Sequence, residues 1–125
     1  SSLVGEKLSE AFVGGALATL PASDAFQILV PEERGAERRY VLVTDGNADA
    51  GAVEESLCTA YHYQHARLLG QLSAPRVVHA PRARDQYYDL LRSRGMKWGD
   101  IKPRALITDG AIAREYLDAV EGAHA

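Results

Sequence analysis

Hydrophobic residues in the middle of the chain recur with the spacing of a helix. Between residues 49 and 71 they fall four or seven positions apart, which is the period of one buried helical stripe. These residues are Val53, Leu57, Tyr61, Leu68 and Leu72. The pattern predicts one long helix that packs against the rest of the protein through this stripe.

Three further helices are predicted from their boundary residues and their periodicity. Residues 6–19 form the first of them, which ends before Pro21. Asp85 is placed to cap the second, and Gly95 is placed to end it. Asp109 is placed to cap the last, whose hydrophobic residues again share one face. The chain is therefore expected to begin and end with helices.

Four short runs between these helices have the composition of strands. Residues 26–30 and 39–44 flank a polar turn around Gly35, which is typical of a β-hairpin. Residues 76–79 and 104–108 are two more short extended runs. The resulting order is α-β-β-α-β-α-β-α. It predicts an α+β fold in which helices pack over a small mixed sheet of three or four strands.

Composition narrows the class of protein. The 125 residues are the size of one domain, so residues 1–125 are expected to form a single unit. The only cysteine, Cys58, excludes an internal disulfide, and no apolar run is long enough to span a membrane. Both features fit a cytoplasmic protein with no membrane partner. The net charge of -3 argues against a general nucleic-acid-binding protein.

The charge is unevenly distributed along the chain. Residues 76–104 contain eight basic and three acidic side chains, a balance of +5, which leaves -8 for the remainder. The basic residues are Arg76, Arg82, Arg84, Arg92, Arg94, Lys97, Lys102 and Arg104. The segment could meet an anion such as a phosphate, or it could be a solvated surface with locally uneven charge.

Three motifs carry a family resemblance. Residues 5–10 read GEKLSE, residues 61–63 read YHY and lead through Arg67 to LGQL at 69–72, and residues 99–104 read GDIKPR. In this order and spacing the chain resembles the C-terminal part of the auxin-responsive-promoter family, the acyl-acid amido synthetases. Those enzymes belong to the acyl-adenylate-forming superfamily. The resemblance covers nearly the whole chain.

The resemblance implies that this chain is the C-terminal lid domain of an ATP-dependent ligase. A carboxylate is activated as its adenylate, and an amine then takes the acyl group. The implied cofactors of the full-length enzyme are ATP and Mg2+, with none bound to this chain alone. The implied partner is an N-terminal ATP- and acyl-binding domain of the same polypeptide, which would precede Ser1, and without it the chain is expected to be inactive. Val4 and Gly5 are the hinge candidates, although they could equally be a frayed terminus.

Lys102 matches the lysine that the family's lid brings to the active site. A compact ammonium on a flexible stem can reach a phosphoryl oxygen and offset charge that develops during transfer. Pro103 biases Lys102 toward an extended backbone, and Gly99 permits close approach to a partner surface. A lone lysine is more often an ordinary surface residue. Here it follows Asp100 and Ile101, where the family often has Gln-Tyr.

Tyr63 and Arg67 match the family's Tyr-x-x-x-Arg, and with Arg104 they are candidates for a substrate or domain interface. At i and i+4 on one helix, Tyr63 and Arg67 could both face another domain, or they could simply support the fold. The plant members have Leu-Asn before the tyrosine, whereas this chain has Thr59-Ala60. The nature of the acyl acceptor therefore stays open.

The sequence also bears on two other classes of function, a metal site and a binding module. Cys58, His62 and His65 would share one face of the predicted long helix, but a structural zinc site needs four ligands and no second cluster supplies the fourth, so no metal site is predicted. The rival to the lid is a small ligand- or partner-binding module without catalytic activity. A lid should place Lys102 on an exposed loop beside the hinge end with apolar or aromatic surface around it, whereas a ligand-binding module should contain a preformed pocket.

Overall fold

The structure, a computed structural model, describes residues 8–21, 24–102 and 104–122. Its elements are α1 (Glu10–Ala18), β1 (Gln27–Arg34), β2 (Glu37–Thr44), α2 (Ala50–Leu57), α3 (Tyr61–Leu68), β3 (Arg76–His79), α4 (Ala83–Ser93), a 3-10 helix (Trp98–Asp100) and α5 (Gly110–Gly122). The predicted α+β class and the order of elements are confirmed. The hinge candidates Val4 and Gly5 lie outside the described residues.

The sheet has the strand order β1-β2-β3 and is mixed. β1 and β2 form the predicted antiparallel hairpin, which closes on the pair Arg34 and Glu37. Its turn is shorter than the sequence suggested, because Gly35 adopts a φ of 58°, which lets the strands join through two residues. β3 runs parallel to β2, and α2 and α3 form the crossover between them.

The fourth predicted strand, residues 104–108, is reduced to one bridge beside β1. Leu106 pairs with Leu29 in parallel orientation. The Leu29 amide donates to the Ala105 carbonyl at 2.8 Å, and the Ile107 amide donates to the Leu29 carbonyl at 3.0 Å. The segment cannot extend this ladder because α5 begins three residues after Ile107.

The single long helix predicted over residues 49–71 is wrong: it is two helices. α2 ends at Leu57 and α3 begins at Tyr61. The Thr59 hydroxyl donates to the Ser56 carbonyl at 2.8 Å, a local bond that competes with helical hydrogen bonding. The break changes which side chains face the core. Tyr61 and Leu68, placed on the buried stripe by their spacing, are 65% and 79% exposed.

Helices cover both faces of the sheet. Successive residues of a strand point to opposite faces, so each strand contributes side chains to both helical layers. One face packs on α4 and α5 through Ile28, Val30, Val41, Val43 and Val78. The other packs on α1, α2 and α3 through Leu29, Tyr40 and Leu42. The two cores explain why these strands read as nearly continuous apolar runs.

The helix boundaries follow from local capping. The Asp109 carboxylate accepts hydrogen bonds from the amides of Ala111 (2.9 Å) and Ile112 (3.1 Å), so its predicted role as a cap is confirmed. Asp85 is not a cap. It lies in the first turn of α4, where its negative charge interacts favourably with the positive end of the helix dipole. Gly95 ends α4 with a φ of 96°, as predicted.

Candidate functional site

Lys102 lies on an exposed loop that is anchored at the residue before it. Ile101 is only 7% exposed and belongs to the core formed with α4 and α5. The amide of Asp100 donates to the Lys97 carbonyl at 2.9 Å, and that of Ile101 donates to the Trp98 carbonyl at 3.3 Å. A short 3-10 helix and a buried isoleucine therefore hold the backbone at Lys102, while its side chain is exposed to solvent.

The loop of Lys102 lies beside the beginning of α1. The Arg104 guanidinium is 3.6 Å from the Glu10 carboxylate in the first turn of α1. A Cβ placed on Gly14 would lie 3.8 Å from that of Ala105, so the helix and the segment after Arg104 are in close contact. Arg104 itself is exposed and links the segment after Lys102 to α1.

Aromatic and basic side chains surround Trp98 near this loop. The Trp98 ring is 58% exposed, and its centroid lies 5.3 Å from that of Tyr88 on α4. The guanidinium carbon of Arg92 lies 5.0 Å from the Trp98 centroid, and that of Arg84 lies 5.7 Å from the Tyr88 centroid. Met96 is also exposed. The motifs in the sequence do not single out this group, although the spacing of four residues between Arg84, Tyr88 and Arg92 along α4 is a signal that could have found it.

Unpaired basic side chains are concentrated in the same region. Of the thirteen arginines and lysines in the described ranges, seven form ion pairs. The cations without an ion pair there are Arg82, Arg84, Arg92, Lys97, Lys102 and Arg114. Five of these six lie in residues 82–102, where six basic and three acidic side chains leave a net charge of +3.

Tyr63 and Arg67 lie apart from Lys102, within the layer of α2 and α3. The Tyr63 side chain is fully buried, and its ring packs 6.3 Å from that of Tyr40. Arg67 donates to the Glu54 carboxylate from Nε at 2.7 Å and to the Leu72 carbonyl from Nη1 at 3.0 Å. These contacts join α2, α3 and the loop after α3, whereas no contact of either residue reaches the Lys102 loop within the described ranges.

Glu54 is the electrostatic centre of that cluster. Burial would raise the pKa of Glu54, but the hydrogen bonds from Arg67 and Cys58 and the charge of Arg67 outweigh it, so the pKa lies below its usual value. Burial, followed by the neighbouring Glu54, raises the pKa of Cys58 to about 11. Cys58 donates to Glu54 at 3.3 Å. Its thiol is therefore held protonated, which is the opposite of what a thiolate metal ligand requires.

The histidines considered with Cys58 do not gather around it. His65 stacks on Tyr61 with ring centroids 5.7 Å apart, on the helix that follows the break after α2. Across the described residues, no group of three or more histidines, cysteines, aspartates and glutamates is arranged to hold a metal ion.

A cavity of about 460 Å³ lies at the carboxyl ends of β2 and β3. It is lined by Leu20, Pro21, Asn47, Ala48, Asp49, Ala52 and His79. The Ala48 amide donates to His79 Nε2 at 3.4 Å across its floor. In open α/β sheets, ligands bind in crevices at this edge, so the cavity is a second candidate site, separate from the Lys102 loop.

Comparison with protein-family models gives no match, and searches of curated proteins and of solved structures give none either. Among the described residues, no helix has both the length and the apolar character needed to cross a membrane.

Proposed function

We propose that this chain is the C-terminal lid domain of an ATP-dependent acyl-adenylate-forming ligase, in which Lys102 enters the active site of an N-terminal ATP- and acyl-binding domain. The three sequence motifs are the basis of the family assignment. The observation that carries the proposal is the position of Lys102. It is exposed, it makes no ion pair with a described residue, and its loop lies beside the start of α1 and close to an aromatic surface.

In this reaction the chain would contribute one positioned positive charge, the ammonium group of Lys102. In the first step, a carboxylate oxygen bonds to the α-phosphorus of ATP while the bond to the bridging oxygen breaks and pyrophosphate leaves. The Lys102 ammonium would offset the negative charge that develops on the phosphoryl oxygens. In the second step, an amine attacks the acyl carbon and AMP leaves. ATP and Mg2+ would be held by the N-terminal domain.

The isolated chain is expected to be inactive because one lysine cannot orient the acid, the nucleotide and the metal together. A reducing, cytoplasmic setting fits this assignment, since the only cysteine, Cys58, cannot form an internal disulfide. The cytoplasmic location is part of the proposal.

The proposal predicts that Lys102→Ala in the full-length enzyme abolishes acid-dependent exchange of pyrophosphate into ATP. A loss of at least about a hundred-fold is expected, because removing one preorganised group that stabilises the transition state typically has this effect. The control is Arg114→Ala, which removes from α5 an exposed cation that has no ion pair among the described residues. Exchange at the normal rate in Lys102→Ala, with the fold intact, would remove Lys102 from the mechanism.

The cavity at the carboxyl ends of β2 and β3 favours a second candidate function, a small ligand-binding module without catalytic activity. Calorimetric titration of the 125-residue chain with ATP separates the two. Tight binding by the chain alone, lost in Ala52→Leu and kept in the control Ala111→Leu, would support the module. No binding by the chain alone, with acid-dependent pyrophosphate release once the N-terminal domain is added, supports the lid.

A further inference from the structure

Four side chains form a continuous row along one side of α4. Arg84, Tyr88 and Arg92 are spaced four residues apart, so they follow one another along the helix surface over roughly 12 Å. Trp98 returns from the 3-10 helix to contact both Tyr88 and Arg92. We call this row the α4 face. Each arginine is held over an aromatic ring, which preorganises its otherwise flexible side chain.

The α4 face has the composition of a protein-binding surface. Tryptophan and arginine are among the residues most enriched in those that dominate binding energy. Trp98 is 58% exposed, whereas Tyr88 is only 8% exposed and belongs to the core of α4 and α5, so it supports the tryptophan ring and is not itself a binding residue. Neither Arg84 nor Arg92 has a carboxylate partner among the described residues. Asp85 and Asp89 follow one position later, about 100° round the helix, and so lie beside the row rather than in it.

The geometry favours an acidic protein surface as the occupant. The two arginines are too far apart to share one phosphate group, since each lies near the opposite end of the row. The Trp98 ring is already contacted by Tyr88 and Arg92, which leaves it poorly placed to act as a stacking platform for a nucleic-acid base. A surface with separated carboxylates and an apolar recess for the tryptophan edge matches the row in charge and length.

The α4 face is mechanically connected to Lys102. The backbone of Ile101 is tied to Trp98 by a hydrogen bond, and the Ile101 side chain is fixed in the core. Lys102 therefore follows a hydrogen-bonded turn in which Trp98 is the exposed aromatic residue. Fixing Trp98 against a partner also fixes the point from which the lysine extends.

We propose that the α4 face docks on an acidic surface of the N-terminal domain and positions Lys102 for adenylate formation; the inference rests on the proposed function. Arg84, Arg92 and Trp98 are positioning residues in this scheme and touch no reacting atom. Their contribution is to the fraction of time that the lid spends docked in the productive orientation. Docking between opposite charges also weakens as salt screens them.

The test measures pyrophosphate exchange in the full-length enzyme carrying Arg84→Gln and Arg92→Gln together. We expect the maximal exchange rate to fall at least about ten-fold with little change in the KM for ATP. We also expect the rate of the unsubstituted enzyme to fall as salt rises from about 20 to 300 mM, and the double variant to lose most of that dependence. Lys substitutions at both positions should restore part of the rate. Arg114→Gln is the control for loss of an exposed arginine.

Each outcome decides a different claim. A normal rate and a normal salt dependence in the double variant would overturn the docking role, while loss of exchange in Lys102→Ala would still support the ligase. Absence of exchange in the unsubstituted full-length protein would overturn both. Trp98→Ala should lower the exchange rate in the same way. If Trp98→Ala disturbs folding, the double variant of Arg84 and Arg92, whose side chains are exposed, decides whether the docking role holds.

Discussion

Arg67 shows how one side chain can join three parts of the chain. It bonds to Glu54 on α2 and to the carbonyl of Leu72 after α3, from its own position on α3. Both partners are partly shielded from solvent, so the interaction is stronger than an exposed ion pair. Arg67, an interface candidate from the sequence, therefore makes its hydrogen bonds within this chain.

At this scale we expect Arg67→Ala to lower the free energy of unfolding by about 2 kcal/mol, because it leaves the Glu54 carboxylate and the Leu72 carbonyl without their charged donor. Arg114→Ala, which removes an arginine that makes no ion pair in the described part, should change it by less than about 0.5 kcal/mol. Urea denaturation of both variants measures the difference. Equal free energies of unfolding for Arg67→Ala and Arg114→Ala would mean that the Arg67 contacts do not stabilise the fold.

The same cluster predicts a pH dependence whose sign is fixed. The pKa of Glu54 is lower in the folded protein than its usual value of 4.5, so the folded state favours the carboxylate. Its contribution is complete above that usual value and is lost as the pH falls through the lower folded pKa. The stability difference between the unsubstituted chain and Glu54→Gln should therefore shrink below about pH 4.5. A constant difference from pH 7 to pH 3 would contradict this.

Cys58 gives a third test at the residue scale. With a pKa of about 11 in the folded chain, its thiolate fraction should still be rising at pH 10. Alkylation by iodoacetamide should accelerate about ten-fold per pH unit from pH 7 to pH 10 without levelling, since the thiolate is the nucleophile. The urea-unfolded chain is the control, and its rate should level off above about pH 8.5. Since Cys58 is the only cysteine, the reaction reports on this site alone.

At the scale of elements, the break between α2 and α3 decides which tyrosine supports the fold. Tyr63 is fully buried, whereas Tyr61, two residues earlier, is largely exposed. Tyr63→Ala should lower the free energy of unfolding by about 3–5 kcal/mol, and Tyr61→Ala by no more than about 0.5 kcal/mol. Thermal or urea unfolding of the pair distinguishes this arrangement from the continuous helix, for which Tyr61 would be the costly position.

Particular residues explain what the sequence could and could not predict. The hairpin, the strand at 76–79 and the cap at Asp109 follow from local patterns, and all three are present. The break after Leu57 coincides with the extended backbone of Ala60 and a hydroxyl bond from Thr59, neither of which hydrophobic spacing encodes. Lys102 could be singled out through its motif, but its aromatic surroundings depend on the return of Trp98 onto α4, a contact between elements that only the folded chain reveals.

At the scale of the whole molecule, the sheet couples two cores. Tyr40 and Tyr63 lie in the core of α1, α2 and α3, whereas Tyr87 and Tyr116 lie in that of α4 and α5. Because both cores share the same three strands, we expect one cooperative unfolding transition.

Val53→Ala tests this coupling. The substitution removes fully buried methyl groups from the first core and should cost about 2 kcal/mol. Tyr116→Phe removes the hydrogen bond from the Tyr116 hydroxyl to the Ala83 carbonyl in the second core. In each variant we expect the unfolding transition followed by far-ultraviolet circular dichroism and the one followed by the tyrosine near-ultraviolet signal to shift together, by the same amount. Separate transitions would show that the two layers unfold independently.

The bridge at Leu29 also bears on how the protein behaves at high concentration. Hydrogen-bonding directions alternate along a strand, so every second residue of β1 faces its outer edge. Leu29 faces that edge and bonds there to Ala105 and Ile107. The next residue facing the same edge is Pro31, which has no N–H group to donate. β3, at the opposite edge, has four residues and lies between Pro75 and Pro81. Neither edge of the described sheet offers a long row of free donors to a second molecule, so we expect strand pairing between copies, and with it fibril formation, to be disfavoured.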